Sequence, residues 1–162
     1  MPVRVDPTLT PRKLLPRLER MSELSAEKVL ALEASWPTER GTPVFTVKGK
    51  YTSRGWTEWT QGFQYGSSVL QFDATGGSDF LNNAKDKIVK LMAPHVSHIG
   101  VHDHGFNNIS TYGNLLRLMK EKKLPFNEWE MNFYELALKI SGAIQASRWT
   151  PIKSGGYIYS LM

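Results

Sequence analysis

Residues 101–106 carry the side chains of this sequence that are best suited to acid–base chemistry. They read Val-His-Asp-His-Gly-Phe, so that the carboxylic acid of Asp103 stands between His102 and His104. Histidine and aspartate commonly move protons in enzymes, and a polar, glycine-punctuated loop between two helical patterns is typical of a site rather than of packing. A capping role, in which Asp103 accepts backbone N–H groups, is the alternative.

The four histidines of the chain also form a tight group in the sequence, at His95, His98, His102 and His104. Three imidazoles can hold a zinc ion and leave one position open for water. Only the first two have helical spacing, Pro94 argues against a continuous helix there, and no His-Glu-x-x-His pattern occurs. We therefore keep a histidine zinc site as an alternative, and the leading expectation includes no metal and no cofactor.

A second candidate region is the aromatic stretch at residues 51–63, where Trp56 and Trp59 lie among small polar residues. Flat aromatic rings stack on sugar rings, and an amide such as that of Gln61 can bind sugar hydroxyls. This pattern predicts a carbohydrate platform. The alternative is the beginning of a helix whose aromatic side chains pack inward.

Hydrophobic periodicity predicts a mostly helical chain of antiparallel helix pairs with short connections. The expected elements of the first half are a helix around residues 14–21, a second helix capped by Ser25, an extended segment at Pro43–Val47, and a helix at about 61–75 ended by Gly76. After these we expect a helix capped by Ser78 or Asp79, a helix that follows residues 107–110 and carries Tyr112 and Met119, a long helix capped by Asn127, and a tail that is a loop followed by an extended segment. Gly62 and Gly66 are four residues apart, which predicts a close approach of another backbone.

Length and composition limit the classes of protein that fit. The chain has 162 residues, 41% hydrophobic content and no cysteine, so we expect one globular domain, residues 1–162, without disulfides. Its net charge of +5 is dispersed and no groove-reading motif accompanies it, so an anionic substrate is favoured over nucleic acid. No signal peptide or membrane-spanning run is seen, and we expect a cytoplasmic protein without membrane partners.

Three short motifs resemble those of the unsaturated glucuronyl hydrolases, glycoside hydrolase family 88, and of the related unsaturated rhamnogalacturonyl hydrolases. Residues 59–63 read Trp-Thr-Gln-Gly-Phe and resemble the W-x-x-G-F motif of that family. Residues 102–106 read His-Asp-His-Gly-Phe and resemble its more specific H-D-x-G-F motif. Residues 72–76 resemble the helix boundary between them, and the order and spacing of the three also agree.

The resemblance implies an all-α fold, the (α/α)6 barrel of six helical hairpins, and an unusual reaction. Its substrates are oligosaccharides with an unsaturated uronic acid at the non-reducing end, and water adds across the C4=C5 vinyl ether without a metal. Asp103 matches the acid that transfers the proton, and His102 and Trp59 match substrate-contacting positions. Trp56 and Gln61 are added as substrate contacts because they are close to these motifs.

One element of the family pattern is missing from the sequence. The family uses a second aspartate later in the chain, and no aspartate follows Asp103 here. A closed barrel of six hairpins also needs about twelve helices, on the order of 350 residues. We therefore expect an incomplete barrel that corresponds to the N-terminal part of such an enzyme, with little turnover alone and with homo-oligomers formed through exposed helix faces. A non-catalytic carbohydrate-binding or assembly module is the remaining alternative.

Overall fold

The computed structural model describes residues 6–55 and 59–160, and most of these residues are helical. The helices are α1 (Pro11–Ser35), α2 (Thr60–Thr75), α3 (Ser78–Leu91), α4 (Ala93–Ser97), α5 (Asn114–Lys120) and α6 (Glu128–Ser147), with a π-helical segment (Gly105–Gly113) before α5. Two antiparallel hairpins are added, β1 (Pro43–Val47) with β2 (Lys50–Ser53) and β3 (Trp149–Ile152) with β4 (Gly155–Ile158). The prevalence of helix agrees with the predicted all-α class.

Helix α1 is one continuous helix of 25 residues, and the prediction of two helices separated at Ser25 was wrong. Thr10 caps it by accepting a hydrogen bond from the N–H of Lys13 at 3.3 Å, and Pro11 occupies the first turn, where its missing N–H costs nothing. Ser25 is followed by good helix formers and no glycine or proline lies near it, so nothing interrupts the backbone hydrogen bonds there.

The extended segment predicted at Pro43–Val47 is the first strand of a tight hairpin. Its turn residues, Lys48 and Gly49, have φ values of 49° and 76°. Two consecutive left-handed residues match the right-handed twist of the flanking strands, so this turn pairs Val47 with Lys50. The hairpin leads the chain back from the end of α1 toward the start of α2.

The predicted end of α2 is confirmed, whereas the predicted cap of α3 is not. Gly76 adopts the left-handed conformation, with φ of 74°, and its N–H donates to the carbonyl of Phe72 at 2.7 Å. Helix α3 has Gly77 at its N-cap with no side-chain hydrogen bond, and Ser78 and Asp79 already lie inside the helix. Asp79 therefore favours the helix through its charge in the first turn, not as a cap.

Helix α2 and the π-helical segment are in close backbone contact. A Cβ placed on Gly62 would lie 2.3 Å from the Cα of Asn107, and one on Gly66 would lie 2.6 Å from the carbonyl oxygen of Ser110. The N–H of Gly62 also donates to Oδ1 of Asn107 at 2.9 Å. The prediction that these two glycines permit close approach is confirmed.

The apolar core lies between α2, α3, the π-helical segment, α5 and α6. Its fully buried members include Val69, Ile88, Met92, Tyr112, Leu115, Leu118 and Tyr134. Helix α6 begins at the predicted cap, where Oδ1 of Asn127 accepts from the N–H of Glu130 at 3.0 Å. Apolar side chains of α6 stay exposed at Trp129, which is 66% accessible, and at Leu136, which is 56% accessible. None of the described helices is long and apolar enough to cross a membrane.

Candidate functional site

The loop that contains Asp103 is hydrogen-bonded to the side chain of Arg148, the first residue after α6. Arg148 is completely buried, and its guanidinium donates to the carbonyl oxygens of Ile99 and Val101, the latter at 2.9 Å. On its other side it donates to the carbonyl of Tyr159 at 3.0 Å and 2.9 Å, and to that of Ser160. One side chain thus joins the loop before the acid to the end of the C-terminal hairpin.

His102 and Asp103 form a pair at the surface, and Ser160 orients it. Nε2 of His102 lies 3.4 Å from Oδ1 of Asp103, while Nδ1 lies 2.8 Å from the hydroxyl and 3.1 Å from the carbonyl oxygen of Ser160. The side chain of His102 is 48% exposed and that of Asp103 is 15% exposed. A carboxyl group that is largely sheltered but reachable, next to an imidazole fixed at both nitrogens, can exchange protons with a bound molecule.

His104, the second imidazole beside Asp103, is buried and serves the structure. Its Nε2 lies 2.6 Å from the carbonyl oxygen of His98, and because a carbonyl can only accept, this nitrogen carries the proton. Nδ1 then accepts from the hydroxyl of Ser141 at 2.9 Å, and Ser141 accepts from the amide of Asn108 at 3.0 Å. This chain of hydrogen bonds is satisfied by a neutral imidazole.

Gln61 points into the same buried network and not toward a substrate. Only 7% of it is accessible, and its Oε1 accepts from Nε2 of His95 at 2.5 Å. Asn108 donates to the carbonyl of His95 at 3.1 Å, which links α4 to the π-helical segment. Gln61 is thus held mainly inside the protein by His95, and its predicted contact with sugar hydroxyls stays a prediction.

The zinc alternative is not supported by these positions. No group of three or more potential metal ligands comes together in residues 6–55 and 59–160. The physical reason is that the histidines point to different partners: His95 to Gln61, His104 to Ser141, and His102 to Ser160. Both ring nitrogens of His104 are engaged, so neither has a lone pair directed at a common point.

Three aromatic rings form an exposed patch that begins at the first turn of α2. The centroids of Trp59, Phe63 and Phe106 are each 5.6 Å from one another, and each ring is between 41% and 46% accessible. Phe106 is three residues after Asp103, so the patch adjoins the acid along the chain. The ring of Trp59 is thus exposed and could stack on a sugar. Its contact with substrate stays a prediction. Trp56 lies outside the described residues.

The sequence did not reveal the residues that orient the pair. Arg148 and Ser160 are separated from Asp103 by more than forty positions and belong to no recognisable pattern. From the sequence, a single arginine after a helix is expected to lie at the surface. The burial of Arg148 is visible only in the structure. Ser160 lies in the tail predicted as extended, which the structure shows to be the end of a hairpin.

Comparison of the chain with family models, with curated proteins and with solved structures finds no match. The arrangement of Asp103, His102 and the aromatic patch is therefore the basis on which a function is inferred.

Acidification is expected to destabilise the fold through the buried histidines. Burial, with a smaller contribution from the charges of His98 and His104, lowers the pKa of His95 from 6.5 to about 4, and burial also lowers the pKa of His104. Below pH 6.5 these histidines bind protons in the unfolded chain but stay neutral in the folded chain. The free energy of unfolding therefore falls as the pH decreases toward about 4. The loss attributable to His95 reaches about 3 kcal/mol.

Urea unfolding at a series of pH values measures this dependence. The free energy of unfolding should fall as the pH is lowered through this window, and the slope should be smaller in His95→Gln, which cannot take up the proton. A free energy of unfolding that stays constant across the window would contradict the assignment of His95 as a buried neutral imidazole.

Proposed function

We propose that this chain carries the Asp103 centre of an unsaturated glucuronyl hydrolase, which hydrates the C4=C5 double bond of an unsaturated uronic acid. The observation that carries the proposal is the sheltered carboxyl of Asp103 next to the imidazole of His102, three residues before the exposed ring of Phe106. In this proposal the described helices form part of an (α/α)6 barrel. The substrate is an oligosaccharide with the unsaturated uronic acid at its non-reducing end.

The residues present suggest how one acid manages both proton transfers of the hydration. In this mechanism Asp103 transfers a proton to C4, and water adds at C5 of the resulting oxocarbenium ion. The proton released by that water returns to the carboxylate, so the acid is regenerated. The imidazole of His102, whose Nε2 lies 3.4 Å from Oδ1 of Asp103, faces the carboxylate during both transfers. Collapse of the hemiketal breaks the bond between C5 and the ring oxygen, which leaves a ketone at C5 and a hemiacetal at C1. The hemiacetal then expels the rest of the oligosaccharide as an alcohol and becomes an aldehyde.

The charge of the site suits a uronate. The guanidinium of Arg148 is fully buried, and all of its hydrogen bonds to described residues end on backbone carbonyl oxygens. Its positive charge is thus not neutralised by a carboxylate of the described part of the chain. A buried cation behind the His102–Asp103 pair favours a negatively charged ligand in front of it.

Asp103→Asn is expected to abolish hydration while leaving substrate binding in place. An unsaturated uronyl disaccharide loses its ultraviolet absorbance when the double bond is hydrated, so turnover is followed directly. At high protein concentration we expect slow loss of absorbance with the wild type and at least a thousandfold slower loss with Asp103→Asn, because the amide cannot deliver a proton. Asp79→Asn, on the exposed first turn of α3, is the matched control and should keep the wild-type rate.

Two results would contradict the assignment. Hydration by Asp103→Asn at the wild-type rate would show that Asp103 does not transfer the proton. Failure of the wild type both to bind and to hydrate the disaccharide would show that unsaturated uronyl oligosaccharides are not its substrates.

A second candidate function, non-catalytic carbohydrate binding, is favoured by the exposed patch of Trp59, Phe63 and Phe106 alone. Stacking of sugars on rings needs no proton transfer. Under this alternative, saturated and unsaturated oligosaccharides bind equally well, Trp59→Ala removes the binding, and no absorbance is lost with any variant.

A further inference from the structure

A recess beside the turn between α5 and α6 has a mostly apolar lining. Its volume is about 380 Å³, which is within the range of small-ligand pockets. The apolar lining residues are Met119, Leu124, Phe126 and Met131, and two lysines, Lys120 and Lys122, complete the wall. None of these residues belongs to the Asp103 site.

Two of the lining side chains belong to the apolar core, whereas another is exposed to water. Met119 and Leu124 are each 5% accessible, and Met131 packs against the core. Phe126 is 71% accessible. Methionine side chains are unbranched and flexible, so a wall that contains two of them can adapt to a flexible apolar chain.

The backbone of Lys122 has a conformation that favours glycine. Its φ of 60° is left-handed, and it directly follows Glu121, the C-cap of α5. The N–H of Lys122 donates to the carbonyl of Met119 at 3.0 Å, and the N–H of Lys123 donates to that of Leu118 at 2.9 Å. These are the two hydrogen bonds of the Schellman motif, in which this position is usually glycine. A lysine makes this turn less stable than glycine would, and such costs are found mostly at functional sites.

The charge of Lys122 is not neutralised, whereas that of the other lysine in the wall is. Lys120 pairs with Glu135 at 3.1 Å, and the same carboxylate lies 3.7 Å from the ammonium of Lys139. Lys122 forms no ion pair in the part of the chain that the structure describes. The recess therefore combines apolar side chains with one positive charge that lacks a carboxylate partner. A carboxylate on an apolar chain is complementary to both features.

We propose that this recess binds a medium-chain fatty acid in its carboxylate form. The hydrocarbon chain lies against Met119, Leu124 and Met131, and its burial drives binding. The carboxylate pairs with the ammonium group of Lys122. The inference goes beyond the proposed hydrolase function and does not depend on it, because the two involve different residues.

Titration with sodium decanoate, kept below its critical micelle concentration, tests the proposal on protein labelled with ¹³C in the methionine methyl groups. The NMR signals of Met119 and Met131 should shift with a dissociation constant of about 1 mM or below. Decyltrimethylammonium has a chain of the same length and the opposite charge. It should bind at least tenfold more weakly, because its cation is repelled by Lys122.

Variants of Lys122 separate the charge from the fold. Lys122→Gly should weaken decanoate binding at least fivefold and raise the melting temperature by about 2–4 °C, because glycine readily takes the left-handed conformation. Lys122→Arg keeps the positive charge and should keep the affinity within about twofold. Lys48→Gly is the matched control, since Lys48 is also left-handed, with φ of 49°, but lies in the turn between β1 and β2. It should leave the affinity unchanged.

Three outcomes would overturn the proposal. The first is the absence of shifts at Met119 and Met131 up to the critical micelle concentration, which the wild type alone is sufficient to show. The second is equal binding of decanoate and decyltrimethylammonium, which would show that the charge of Lys122 does not select the ligand. The third is a Lys122→Gly variant that melts at a higher temperature and binds decanoate as the wild type does, which would show that this lysine only ends α5.

Discussion

Arg148→Met is expected to lower the free energy of unfolding by about 4 kcal/mol and to release the C-terminal hairpin from the loop before Asp103. Methionine fills a similar volume but donates no hydrogen bond. The carbonyls of Ile99, Val101, Tyr159 and Ser160 would then lose the donor they share. A buried carbonyl left unpaired costs about 1–3 kcal/mol, and several lost together place this substitution among the most damaging single changes.

Chemical unfolding measures the loss of stability, and hydrogen exchange locates it. The matched control is Arg20→Met, since Arg20 is 64% exposed and forms an exposed ion pair with Glu23 of its own helix, so its loss should change stability by less than about 0.5 kcal/mol. In Arg148→Met we expect faster exchange of the amides of residues 149–159. If the amides of that hairpin exchange in Arg148→Met at the wild-type rate, Arg148 does not stabilise the hairpin.

Loss of Arg148 should also disturb the His102–Asp103 pair, because Ser160 is the link between them. Arg148 fixes the carbonyl of Ser160, whose hydroxyl and carbonyl both contact Nδ1 of His102. If the hairpin moves away, the imidazole loses the partner that sets its orientation. The 3.4 Å approach of Nε2 of His102 to Oδ1 of Asp103 would then be lost.

The features predicted correctly from the sequence depend on local chemistry. Gly76 ends α2 because only a residue without Cβ readily takes the left-handed conformation, and Asn127 caps α6 because its side chain reaches the free N–H groups of the first turn. Gly62 and Gly66 were recognised by a spacing that allows two backbones to approach. Each of these signals is contained within a few residues.

The features that were missed depend on contacts between distant segments. Gln61 was added as a substrate contact because it is close to the motifs in the sequence, but the position of α4 places His95 against it. Arg148 is buried because two loops supply carbonyls on both sides, which no local pattern records. Ser25 was taken as a cap because its residue type allows that role, although the uninterrupted backbone hydrogen bonds of α1 outweigh this preference.

Gly62→Ala is expected to destabilise the protein by about 4 kcal/mol, because the added methyl group has no space. Its carbon would lie 2.3 Å from both the Cα of Asn107 and the carbonyl oxygen of Phe106, and backbone atoms cannot move aside as the end of a flexible side chain can. Helix α2 and the π-helical segment would have to separate. The hydrogen bond from the N–H of Gly62 to Asn107 would then lengthen, and overpacking strain would add to its loss.

Gly142→Ala provides the control, since Gly142 is also inside a helix but a Cβ there meets no atom within 4 Å. Alanine favours helix over glycine by about 1 kcal/mol, so this variant should be at least as stable as the wild type. Thermal and urea unfolding of the two variants separate helix propensity from backbone contact. Because Phe106 and Trp59 are in contact across the same junction, Gly62→Ala should also change the tryptophan fluorescence of the folded protein. Equal stability of Gly62→Ala and Gly142→Ala would mean that α2 and the π-helical segment are farther apart than described. The contact between these two elements would then not be what positions the rings of Trp59, Phe63 and Phe106.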